Sequence, residues 1–128
     1  MASYIFDHLG LTDLLERRLW GSTPFALQIM VDKELFDQRT YAHQRPRLVR
    51  LRDAGATVHL CHGTPPHGSM HAKACIVDRR RLYAGSPNFT YKSQYNVELA
   101  FRIVGPPVAE VLQFLSGIRR NSREWVGN

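Results

Sequence analysis

The segment His71-Ala72-Lys73-Ala74-Cys75-Ile76-Val77 constrains the chain more than any other, because it reads as a buried strand carrying two strongly polar side chains. Residues two apart on a strand project to the same side, so His71 and Lys73 point together. A second short strand, Leu82 to Ala84, runs into Gly85-Ser86-Pro87-Asn88, where Ser86 and Asn88 repeat that separation. Pairing the two strands brings imidazole, ammonium, hydroxyl and carboxamide around one volume. Such a set can hold and attack a phosphate without a metal. The small Ala72 and Ala74 on the opposite face admit a closely packed layer, and Gly85 is expected to permit the turn that raises the second pair beside the first. Each half alone has a plainer reading, a strand-end pair and an ordinary turn. Their joint occurrence in this order carries the argument.

Written as a pattern, the residues are His71-x-Lys73-x4-Asp78-x6-Gly85-Ser86-x-Asn88. This resembles the signature of the phospholipase D superfamily. The resemblance covers nearly the whole chain, since Phe25 to Asp32, the helix to Ala54-Gly55 and the motif strands occur in the order such proteins show. It implies an α/β fold, a mixed β-sheet flanked by helices, in a single phospholipase D-like catalytic domain over residues 1–128. It further implies that His71 is the nucleophile and that Lys73, Ser86 and Asn88 bind the non-bridging oxygens. Asn96-Val97-Glu98 resembles the segment whose glutamate holds the nucleophile's ring nitrogen, which makes Glu98 a catalytic candidate and a buried acid in need of a partner. Asp78 and Gly85 are expected to be structural supports, since strand parity turns Asp78 away from His71. No cofactor and no metal are implied.

A neutral imidazole can attack phosphorus to give a phosphohistidine, but the leaving oxygen needs a proton and the intermediate needs an activated water. One histidine does not conveniently perform both tasks. The superfamily answers with two copies of the motif, whereas no second His-x-Lys occurs here. The resemblance to single-motif members, bacterial endonucleases and mitochondrial phospholipase D-like proteins, therefore implies a two-fold homodimer sharing one active site.

Substrate class is read from charge. The formal net charge is +6, and Lys33, Lys73 and Lys92 are the only lysines, so arginine dominates. Arginine suits phosphate because its fork engages two oxygens at once. Clusters lie at Arg45, Arg47, Arg50 and Arg52, at Arg79, Arg80 and Arg81, and at Arg119, Arg120 and Arg123. The Arg79 to Arg81 run is the preferred substrate-binding candidate because it links the two motif strands; the others read equally well as solvated surface. Phe89, Tyr91 and Tyr95 follow the motif and suit base stacking or core packing. The expected partner is single-stranded nucleic acid. A membrane phospholipid such as cardiolipin is the alternative, with Pro65, Pro66 and Met70 as apolar entry, and a non-catalytic scaffold is disfavoured because every motif position is filled.

At 128 residues, 44% hydrophobic and 22% charged, the chain can bury one ordinary core. No apolar run approaches the roughly 18 residues that span a bilayer, and no signal-peptide pattern is present. As the chain stands the expected location is the cytoplasm, with an upstream signal or anchor left open. Cys61 and Cys75 are expected as buried free thiols. His59, Cys61, His62, His67, His71 and Cys75 crowd together, but no Cys-x2-Cys or His-x3-His spacing supports zinc. The pattern predicts strands at Tyr4 to His8, Phe25 to Asp32, Ala56 to Cys61 and Asn96 to Val104. It predicts helices at Leu11 to Leu19, at about Pro46 to Gly55 and at Val108 to Arg120, with a helical turn in 33–42 and a loop at 62–69.

Overall fold

Two apolar runs, Gln28–Asp32 (β2) and Thr57–Cys61 (β3), form the parallel heart of the structure, with Ile29 opposite Val58 and Val31 opposite Leu60. They alternate with helices Leu9–Trp20 (α1) and Arg45–Asp53 (α3). His8 caps α1, its Nδ1 accepting from the Leu11 amide at 3.1 Å. Pro46 sits in the first turn of α3, where its missing N–H costs nothing, and Gly55 ends the segment at φ +109°. The computed structural model describes residues 1–64 and 68–127.

A two-residue strand, Ala2–Ser3 (β1), lies parallel to β2 on one side and antiparallel to Ala74–Val77 (β4) on the other. β4 turns into Arg81–Gly85 (β5), which pairs antiparallel with Ala100–Val104 (β6). Arg123–Glu124 (β7) closes the far edge against β3, giving the order β6-β5-β4-β1-β2-β3-β7. This is the mixed sheet that the sequence predicts.

Two cores sandwich it. On one face Ile29, Val31, Val58 and Leu60 pack with Leu15, Leu48 and Leu51 from the helices. On the other, Val108, Val111, Leu115 and Ile118 recur at helical spacing along Pro107–Arg120 (α4) and cover Met30, Ala74, Leu82 and Ile103. Lys33–Asp37 (α2) and a 3₁₀ segment, Arg39–Gln44, fill the ambiguous stretch after β2. No described helix is long and apolar enough to cross a membrane.

Several boundaries differ from the sequence reading. The first strand is Ala2–Ser3 rather than Tyr4 to His8; downstream, Phe6 keeps one isolated bridge to Phe89, and the Asp7 and His8 amides share the Phe89 carbonyl at 3.1 Å. β2 omits Phe25 to Leu27. β4 starts at Ala74, so His71 and Lys73 precede the regular strand, and β6 starts at Ala100 rather than Asn96, residues 96–99 being irregular after a 3₁₀ turn at Lys92–Tyr95. The C-terminal strand was not anticipated. It is anchored by Trp125, whose ring meets Phe36 edge-on at 4.9 Å and carries the Arg52 guanidinium at 4.6 Å.

Candidate active site

Lys73 still behaves as a strand residue where it matters. Its carbonyl accepts from the Gly85 amide at 3.3 Å, extending the β4–β5 ladder by one bond and setting the two motif halves side by side. The Lys73 ammonium lies 2.6 Å from His71 Nδ1 and 2.9 Å from the His71 carbonyl oxygen. Burial lowers the Lys73 pKa, opposed by the negative charge of Glu98. Tyr4 forms the floor, its ring 4.3 Å from the imidazole and 5.4 Å from the ammonium.

The second half is built differently from a plain turn. Gly85 has no unusual φ; a Cβ there would come within 2.2 Å of the Leu99 carbonyl oxygen and 2.7 Å of Ala100 Cα. The expectation that Gly85 permits the turn is therefore corrected: glycine serves the close approach of β6. That approach delivers Glu98. Its carboxylate accepts from the Ser86 hydroxyl and, at 3.1 Å, from the Asn96 amide, while Ser86 Oγ accepts from the Leu99 amide at 3.1 Å. These bonds, Ser86 first, hold the Glu98 pKa below its ordinary value. Glu98 is half-buried rather than enclosed in a strand, and it bonds Ser86 and Asn96, not His71.

Asn88 Oδ1 accepts from the Ile5 amide at 3.2 Å, which leaves its Nδ2 without a protein partner among the described residues. Its neighbour Phe89 packs on Phe6, with ring centroids 6.4 Å apart, and so belongs to the core. Tyr91 and Tyr95 are exposed and joined by a 2.6 Å hydroxyl contact.

The structure separates the arginine clusters. Arg50 is committed to Glu16 and Asp13, Arg45 bonds the Phe36 carbonyl, and Arg52 pairs with Asp53. Arg79 and Arg80 lie in the turn between β4 and β5, and Arg81 opens β5, at the opposite end of the ladder from His71. Asp78 and Arg79 both adopt left-handed backbone, φ +53° and +56°, and Asp78 bonds Arg81 at 3.1 Å. Asp78 is thus a surface turn residue, on the far side from the imidazole.

One residue near the site escaped the sequence reading. Asp32 is 1% exposed, caps α2 by accepting from Leu35 N at 3.0 Å, and accepts from Met70 N at 2.8 Å. It thereby pins the backbone immediately before His71. The visible signal was an acid ending an apolar strand, but the partner amide lies 38 residues away. Cys61 is buried and Cys75 half-buried, and neither forms a disulfide. Burial pushes the Cys61 thiol up to about 11. Among the described residues no three His, Cys, Asp or Glu side chains gather to hold a metal; Pro65, Pro66 and His67 lie outside the described residues.

With that geometry in place, residues 1–115 match the family model described as "Cardiolipin synthase, PLD-like domain". The chain belongs to the phospholipase D-like family. Its fold is similar to that of Nuc from Salmonella typhimurium, a phospholipase D family member (TM-score 0.81, 21% identity, covering 99% of this chain and 80% of that one). It is similar also to that of NucT from Helicobacter pylori (TM-score 0.82, 17% identity, covering 97% and 79%). No curated protein matches the sequence.

Proposed function

We propose that this phospholipase D-like chain is a phosphodiesterase that works through a phosphohistidine, without a metal, and cuts single-stranded nucleic acid as a homodimer. The observation that carries the reading is that the His71–Lys73 and Ser86–Glu98 pairs are set side by side, joined by the Gly85–Lys73 backbone bond and by the attraction between Lys73 and Glu98. Two residues on, Asn88 Nδ2 is unpartnered among the described residues. Lys73 and Asn88 supply the positive charge and donors that a cation would otherwise provide to the non-bridging oxygens.

The Lys73 ammonium lies against both ring nitrogens, 2.6 Å from Nδ1 and 3.1 Å from Nε2. An arriving phosphate draws Lys73 onto its own oxygens and frees the imidazole to attack. In the first step a His71 nitrogen bonds phosphorus, the P–O bond breaks, and the leaving oxygen takes a proton from His71 of the partner subunit. In the second, that imidazole takes a proton from water as its oxygen bonds phosphorus, and the N–P bond breaks.

Support for the dimer comes from Val97, Leu99 and Phe101, exposed at 105%, 64% and 57% beside Glu98 on the unpaired side of the sheet. Three exposed apolar side chains at alternate positions suit burial against a second copy. The name of the matching family model favours a phospholipid as the second reading of the substrate.

Mixing tests the shared site. Wild-type protein exchanged with excess H71A is expected to lose activity per wild-type chain toward zero, with chelator present throughout. Constant activity per wild-type chain, once exchange is verified, overturns the shared site; loss to chelator alone overturns the mechanism. Parallel assays on single-stranded DNA, RNA and cardiolipin vesicles decide the substrate.

A further inference from the structure

The β4–β6 meander has two unlike faces. Leu82 and Ile103 are opposite one another and pack under α4, while the alternate positions point away from it. Cross-strand register places Arg81 against Val104 and Tyr83 against Arg102 on that second face, and all four are exposed, Tyr83 at 42%. A groove of about 590 Å³ opens at its end, lined by Arg79, Arg80, Arg81, Arg102, Val104 and Gly105.

Most of the charge in this groove is uncompensated among the described residues. Arg81 alone has a carboxylate, Asp78; Arg79, Arg80 and Arg102 have none among the described residues. The turn that presents them takes left-handed backbone at Asp78 and Arg79, positions where Asn-Gly would sit without strain. Lys73 and Gly85 share this face by strand parity, so the surface runs from the catalytic end to the groove over about 13 Å, four residues at the usual strand rise.

We propose that this face is a second substrate-binding site, an exosite that takes the phosphates of single-stranded nucleic acid on Arg102 and the hairpin arginines and stacks a base on Tyr83. The proposal rests on the nucleic-acid reading above and adds where the strand runs. Guanidinium forks match phosphate, an exposed ring between them accepts any base, and the one aliphatic wall residue, Val104, gives acyl chains little to bury against.

The test compares Y83L and R102Q with wild type on three substrates: bis(4-nitrophenyl) phosphate, a dinucleotide, and a single strand of about 16 nucleotides. For the long strand kcat/KM is expected to fall about tenfold in each variant. In R102Q the slope of log affinity against log salt should flatten by about 0.7, one phosphate contact. Turnover of the two short substrates and the unfolding midpoint should hold. Equal losses on short and long substrates, or no loss on the long strand, overturn the exosite while leaving the nuclease reading standing. Wild-type protein that hydrolyses the chromogenic diester but binds no oligonucleotide overturns both. Binding to anionic vesicles that the variants lose, with oligonucleotide cleavage unchanged, assigns the face to membrane instead and overturns the proposal.

Discussion

Removing the Asp32 carboxylate tests how the catalytic loop is held. Its two oxygens accept from the Leu35 and Met70 amides at 3.0 and 2.8 Å in a position 1% exposed, so truncation strands two donors away from water. Hydrogen bonds to a charged acceptor contribute about 1.5–3 kcal/mol each, so losing two makes D32A cost about 3–6 kcal/mol. D32N retains one acceptor oxygen and turns an amide toward the other donor, which predicts roughly half that loss. At a urea slope of about 2 kcal/mol/M, D32A should move the urea midpoint down by about 1.5–3 M, a large part of a total stability of order 5–15 kcal/mol. Urea unfolding with unchanged slope is the assay. D32N, expected to stay folded at 25 °C at half that loss, should also turn over the small diester more slowly, because Met70 is held less firmly before His71. A D32A loss below about 1 kcal/mol refutes the reasoning.

K73A is expected to lower kcat by at least a hundredfold with a stability change under about 1 kcal/mol, because the ammonium bonds only the His71 ring and carbonyl; equal losses in circular-dichroism melts and turnover would mark it as structural. N88A should lose both turnover and about 1 kcal/mol of stability, since Asn88 also accepts from the Ile5 amide, and urea titration separates the two effects. The Glu98 pKa lies below its ordinary 4.5, so its contribution is present above that value and is lost as pH falls through the lower folded one. E98Q should accordingly flatten the acid limb of the stability–pH curve, and an unchanged limb would show that the Ser86 and Asn96 bonds do not hold the carboxylate in solution.

The parts of this structure that were legible in the sequence are those set by local period and spacing. Leu11, Leu15 and Leu19 announce α1, Val108 to Ile118 announce α4, and the His71–Lys73 and Ser86–Asn88 pairs fix which strands must be neighbours. What escaped is long-range or depends on which groups are exposed. Nothing local distinguishes Arg50, consumed by Glu16 and Asp13, from Arg102, which faces solvent. Glu98 reads as a buried acid because Val97, Leu99 and Phe101 look like core, yet these residues are exposed next to an unpaired edge. The Arg79 to Arg81 run sits next to the motif in sequence, but a hairpin places its tip at the far end of its own ladder.

The two-residue strand β1 has a kinetic consequence. Among the described residues it is the only strand joining the β4–β6 meander to β2, β3 and β7, so the hydrogen-bonded ladder narrows to Ala2 and Ser3 at mid-sheet. β4, β5 and β6 are neighbours in sequence and can zip on their own, whereas Ala2 must wait for Ala74 across a closure of some seventy residues. The ladder thus divides into a side bearing the His71–Lys73 and Ser86–Asn88 pairs and a side bearing α1 and α3, and amide exchange at Leu82 and Val58 reads whether the two open together. The imidazole and its floor, Tyr4, fall on opposite sides of that seam. The site is therefore complete only when the two sides meet, and α4, which packs on Met30 as well as on Ala74, Leu82 and Ile103, is the element that holds them together across the narrow ladder.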